Sequence, residues 1–259
     1  MLHRHDNVRE PSRVERNKKT FAATQLCAAV VAVGLAAALT PMRVHAAGGA
    51  YAVDDVEIAD VGNCKVESWT SFASNRDFVG VTSPACVVDL GRPVEVGLQF
   101  SGLNAGNVWS GTATIKGKTN LIKPAVGTVG LALSGGVTFD IATGDVTALA
   151  ATIPVTLQLS DSFKINVNGG WSHDTIINQS YGFVGAGFEW NFVKPLTLIG
   201  EVYAVLGPDQ RNPRAQIGLR YTPVEDVDID LIYGRNIAGE DADWITVGLN
   251  VRFNAFGKK

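Results

Sequence analysis

The sequence predicts an all-β chain, a closed antiparallel transmembrane barrel of about 12 strands, with ten as the nearest alternative. Three observations predict it. Apolar and polar residues alternate through runs of roughly ten residues, the span a tilted strand needs to cross a bilayer. The connections between runs fall into two alternating kinds, one short and one mostly longer and more polar. Aromatic residues gather near the ends of runs, where the girdles of a membrane barrel lie.

The first 46 residues stand apart. Seven of the chain's 22 Lys and Arg fall there beside three of its 25 acids. A basic opening leads into the apolar "FAATQLCAAVVAVGLAAALT" and then "PMRVHA", with Val44 and Ala46 placed for cleavage after Ala46. Residues 1–46 therefore read as a secretory signal peptide and 47–259 as an outer-membrane β-barrel domain. An uncleaved N-terminal anchor is the competing reading, since Ala22 to Leu39 nearly reaches a span's length. Residues 47–259 are more acidic than the whole chain's net charge of −3, and carry no basic patch for nucleic acid.

Strands are expected near 65–73, 78–89, 94–104, 107–121, 127–139, 145–159, 162–173, 180–192, 195–206, 212–222, 226–236 and 243–253. The short connections are "DLGRP", "KPAVG", "SDS", "VKP" and "PVED", and the longer ones include "SHDTIINQ", "GPDQRNP" and "NIAGEDAD". An even strand number with short turns inward brings both termini to the periplasmic side.

The facing of side chains is set by the period of two. Val94, Val96, Leu98 and Phe100 oppose Glu95, Gly97 and Gln99, and Ile245, Val247, Leu249, Val251 and Phe253 oppose Thr246, Gly248, Asn250 and Arg252. Trp171 and Tyr233 fall toward the outer end, Trp190 and Tyr221 toward the inner end. A soluble periplasmic β-sandwich shows the same alternation, but in lipid only a sheet without edges pairs all its backbone groups. Cys64 and Cys86 flank the "SNRD" turn symmetrically, which in an oxidising compartment suggests a disulfide across the first hairpin at the periplasmic rim.

From Leu196 onward the stretches "LTLIGEVYAVLG" and "AQIGLRYTPVEDVDIDLIYGRNIAGEDADWITVGLNVRF", and more loosely "NGGWSHD" at 168–174, resemble proteobacterial outer-membrane β-barrel proteins of the "MetA-pathway of phenol degradation" transporter type. The resemblance implies a closed barrel and passive transport, and brings no catalytic residues with it. The last strand also resembles the barrel-assembly signal, ending at Phe253, although "NAFGKK" comes after it.

The inward face supplies the site residues. Glu95, Gln99, Lys164, Glu189, Glu201, Arg214, Arg220, Asp228, Asp230 and Arg252 are the lumen or pore-lining candidates, with Lys116 and Lys118 on the same face. Pairing across "PVED" is expected to set Arg220 opposite Asp228 and Gly218 opposite Asp230. Across the last outer loop it sets Asp228 opposite Arg252 and Asp230 opposite Asn250. Such a ladder either braces and blocks the lumen or lines a constriction that selects by charge. Inward Gly97, Gly170, Gly185, Gly187, Gly218, Gly234 and Gly248 leave room beside these charges, which favours a channel.

No catalytic residues, cofactor or metal ligands are assigned. His173, between Ser172 and Asp174, is the one histidine after the signal, and neighbours on a strand point to opposite faces, so "SHD" cannot form a relay. The acidic "GEDAD" at 239–243 is a solvated loop or a Ca²⁺ site. The expected function is a passive or facilitated channel for small solutes. A non-conducting surface barrel, a lipid-modifying barrel enzyme and the soluble sandwich are the alternatives. Outer-membrane lipids, barrel-assembly and periplasmic chaperone machinery and small-molecule solutes are the expected partners.

Overall fold

A computed structural model of the chain describes residues 50–208, 211–239 and 241–255, with only the backbone described at 211 and 212. The signal peptide expected at 1–46 lies outside the described residues. Twelve strands succeed one another: β1 (Asn63–Ala73), β2 (Phe78–Asp89), β3 (Pro93–Ala105), β4 (Val108–Ile122), β5 (Val129–Asp140), β6 (Val146–Ser160), β7 (Phe163–Asp174), β8 (Gln179–Val193), β9 (Leu196–Leu206), β10 (Arg211–Val224), β11 (Val227–Asn236) and β12 (Asp243–Asn254). Each lies within two residues of its expected bounds. Every strand pairs antiparallel with its chain neighbours, and β1 pairs with β12 to close the barrel.

The two faces separate as the alternation requires. On β12, Ile245, Val247 and Leu249 are about half exposed while Thr246 and Asn250 are buried. On β3, Val96, Leu98 and Phe100 point out and Glu95 and Ser101 are buried. The exposed face is thus apolar and the buried face polar, the reverse of a soluble sheet. Trp171 and Tyr233 at one end and Trp190 and Tyr221 at the other are likewise outward and exposed. Cys64 and Cys86 sit opposite each other on β1 and β2 and form a disulfide.

Two expectations are corrected. Loop lengths do not alternate strictly, because 106–107, at the end expected to carry the long loops, is a tight turn with Asn107 at φ 66°, and 123–128, at the other end, is among the longer connections. Connections this short stay at the rims.

The register around β11 also differs. Arg220 faces Asp230 and Gly218 faces Ile232, because Val224 pairs with Val227 and the ladder shifts between Tyr221 and Val224. Asp228 faces Asn250 and Asp230 faces Gly248, since the last loop closes with Asn236 N–H donating to the Ala242 carbonyl. Each change moves a partner by two positions, so every side chain keeps its face.

Candidate functional site in the barrel lumen

The lumen is occupied by the chain itself. Residues 50–60 form no strand; they run inside the barrel toward the rim where β1 begins, and Tyr51, Ala52, Val53, Asp54 and Val56 are buried. Directly opposed inward residues make the bed. Gln216 faces Glu201, Glu201 faces Gly187, Gly187 faces Asn166, and Asn166 faces Thr156, a row crossing β10, β9, β8, β7 and β6.

Polar side chains of that row, joined by Asn168 one step along β7, hold the segment by its backbone. Ala52 N–H donates to Glu201 Oε1 at 2.7 Å and Val53 N–H to Oε2 at 3.0 Å. Asn168 makes a reciprocal pair, accepting from Asp54 N–H and donating to the Asp54 carbonyl, each at 2.7 Å. Val56 N–H donates to Thr156 Oγ1, and Gln216 Nε2 donates to the Ala50 carbonyl. A backbone without ladder partners is expensive to bury, and these side chains supply the missing partners.

The segment's side chains are placed as well. Tyr51 packs on Ile199 and Ile232, with the Arg220 guanidinium 5.6 Å from its ring centre. Val53 packs with Tyr203. A Cβ on Gly218, Gly185 or Gly130 would collide with Tyr51, Val53 or Val56 respectively. The inward glycines at 185 and 218 therefore admit the segment and leave no open path of their own, and the space beside Gly234 is filled by Trp244. This corrects the expectation of open room at three of the seven inward glycines, while Gly187 does border the remaining cavity.

Ion pairs tie the segment's acids to two strands. Lys118 Nζ lies 2.9 Å from Asp54, and Lys164 Nζ lies 2.8 Å from Asp55 and 3.2 Å from Glu189, its cross-strand partner. A second network spans β10 to β12. Arg220 Nε lies 2.8 Å from Asp230, which is 1 % exposed, and Arg252 Nη1 lies 2.6 Å from Asp228. Asp228 thus sits between Arg252 and the more distant Arg220 at 4.0 Å. On β1 and β3, Lys65 bridges Glu67 and Glu95.

Of the remaining candidates, Gln99 faces inward and contacts Ser101, and the Arg214 guanidinium stands 5.8 Å from the Trp244 ring. Beside the segment remains a cavity of about 470 Å³, bordered by eight carboxylates and five Lys or Arg. Glu95, Lys164, Glu189, Glu201, Arg220, Asp228 and Arg252 all reach it, whereas Gln99, Arg214 and Asp230 do not line it. Asp54, Asp55, Glu57 and Tyr51 also line it, and sequence reasoning missed them. The signal for them was present: an acidic run stands just after the expected cleavage point, and Glu201 faces no basic residue on its neighbouring strands.

The model of the family described as "Uncharacterised conserved protein UCP029691" matches residues 35–253. The chain belongs to this family. No curated protein matches it. Among solved structures, this UCP029691 member is similar to the COG4313 outer membrane channel from Pseudomonas putida F1, with a TM-score of 0.61 and 10% identity over 77% of this chain and 98% of that one. The KdgM porin gives 0.56 at 10% identity, over 73% of this chain and 99% of that one. The NanC porin gives 0.55 at 6%, over 72% and 98%. The fold of the UCP029691 chain is that of bacterial outer-membrane barrels.

Two other sequence features are placed outside the lumen. His173 stacks on Trp171, with ring centres 6.1 Å apart, and its Nδ1 lies 3.1 Å from Ser180 Oγ. Asp174 Oδ1 instead accepts the N–H of Ile176 and Ile177 and shapes the outer turn. In the last loop Glu240 lies outside the described residues, while Asp241 is almost fully exposed and pairs with Arg235. Among the described residues no cluster of His, Cys, Asp or Glu is arranged to hold a metal.

Proposed function

We propose that this chain is a passive outer-membrane channel for small polar solutes, closed in this structure by its own residues 50–58. One observation carries the reading. The barrel keeps its lumen polar and buries a separate chain segment in it, held by side chains of the wall and not by the sheet's own ladder. A barrel that only filled its interior has a simpler solution in large inward side chains.

The cavity argues for the solute's charge. Eight carboxylates against five cations favour cations and zwitterions over polyanions. The KdgM porin, by contrast, is known in complex with oligogalacturonate. Assignment to the MetA-pathway transporter type rests on residues 196–253, and the charged cavity supports polar cargo more than hydrocarbon.

The lumen segment equally supports a second reading, a plugged barrel that conducts nothing and acts through its surface. Planar bilayers separate the two. The channel reading expects wild-type openings with a reversal potential favouring K⁺ over Cl⁻, and a weaker cation preference in Glu67→Gln with Glu95→Gln. A wild-type protein that stays sealed at all voltages and solute concentrations overturns it.

A further inference from the structure

We propose that the lumen wall carries a peptide-binding site, filled here in cis by residues 50–56, and that the ligand class it recognises is a short oligopeptide that bends where Ala52 and Val53 stand. This deepens the channel reading, on which it rests only for its transport consequence.

The recognition chemistry is that of a backbone. Glu201 accepts two consecutive N–H groups, the Asn168 amide takes both the N–H and the carbonyl of one residue, Thr156 accepts the N–H two residues on, and Gln216 donates to the first carbonyl. Every peptide offers these groups, whatever its sequence. Such capture of main-chain groups is a general mode of peptide recognition, with pockets for side chains adding selectivity.

The pockets are present too. An aromatic residue fits between Ile199, Ile232 and the Arg220 guanidinium, beside Gly218. Two positions on, a branched apolar residue fits against Gly185 and Tyr203. The next two positions meet Lys118 and Lys164, which select acids. The predicted ligand is therefore a short bent peptide with an aromatic residue, one spacer, an apolar residue and an acidic pair. Glycine at 185 on β8 leaves room for the apolar side chain between the polar groups of β7 and β9.

In cis the site sees its ligand at the high effective concentration of a short tether. A ligand in trans must compete with it, so the test begins from a full-length chain whose own segment is unseated by Tyr51→Gly, Asp54→Lys and Asp55→Lys, with the wall intact. The probe is an acetylated, amidated octapeptide with the sequence of residues 50–57. A second peptide keeps the pattern with Phe, Leu and Glu at the corresponding places. A third carries N-methyl groups on the two amides that meet Glu201.

Calorimetry in detergent reads binding whether or not the barrel conducts, and bilayer current reads block. The expected result is saturable binding of the first two peptides within about threefold of each other. A loss of at least tenfold is expected for the N-methylated peptide, and likewise for the first peptide when Glu201→Ala is added. No binding by calorimetry, or equal binding of the N-methylated peptide, overturns the peptide site. Binding without any current in the unseated variant keeps the site and overturns the channel reading instead.

Discussion

A Cβ built on Gly185 would stand 2.7 Å from Val53 Cγ2, so the lumen segment fits against β8 only where the wall residue has no side chain. Gly185→Val is therefore expected to unseat the segment and raise the open fraction in bilayers. Gly169→Ala on β7, which has open space about it, is expected to leave the current unchanged. Equal currents in both variants would remove residues 50–58 from the closed state.

Glu201→Ala takes the acceptor from the N–H of both Ala52 and Val53. A buried N–H left without an acceptor costs about 1–3 kcal/mol, so closed dwell times in single-channel records should shorten by about tenfold or more. Tyr51→Phe is the contrasting variant. The Tyr51 hydroxyl is buried without a hydrogen-bond partner, and its removal should leave dwell times at or above the wild-type value.

The two aspartates of β11 should differ in how much they stabilise the barrel. Asp230 is 1 % exposed and takes Arg220 in two hydrogen bonds, at 2.8 and 3.2 Å. Asp230→Asn leaves a largely buried guanidinium with a weaker partner, a loss of about 3–5 kcal/mol by analogy with broken buried pairs. Asp228 pairs with Arg252, whose side chain is 36% exposed and can regain water, so Asp228→Asn should cost less. Urea midpoints of heat-modifiable gel migration would show the order, and a larger shift for Asp228→Asn would contradict it.

The Cys64–Cys86 bond joins residues 22 apart in sequence. Closing a loop of that size stabilises a fold by about 3 kcal/mol. Reductant, or Cys64→Ser with Cys86→Ser, should lower the urea midpoint of the folded barrel without altering its strand content by circular dichroism. An unchanged midpoint would mean that the hairpin and the β1–β12 seam alone fix this corner.

The strands were legible because each carries its own evidence, a period of two over enough residues to declare both faces. Facing survived even where register did not. Arg220 and Asp230 were placed on the lumen side correctly but not opposite each other, because the irregular step between Tyr221 and Val224 leaves no mark in a turn as ordinary as "PVED". The lumen segment was illegible for another reason. Residues 50–58 have no periodicity, and the wall side chains that hold their backbone lie from 100 to 166 positions away, as between Val56 and Thr156 or Ala50 and Gln216. What the sequence did contain was room without an occupant, at Gly185 and Gly218, and a carboxylate without a cation, at Glu201.

Gly62 donates its N–H to the Val87 carbonyl, and β1 begins one residue later, beside the disulfide at Cys64. Residues 57–61 are then a ruler between a fixed point at the rim and the bed inside. Each residue of extended chain measures about 3.3 Å, so one inserted residue would carry Tyr51 and Val53 past their glycines and turn them toward the opposite side. Two would restore the side but lift the acids away from Lys118 and Lys164. The length of the tether, more than its composition, sets which residues of the segment are read by the wall.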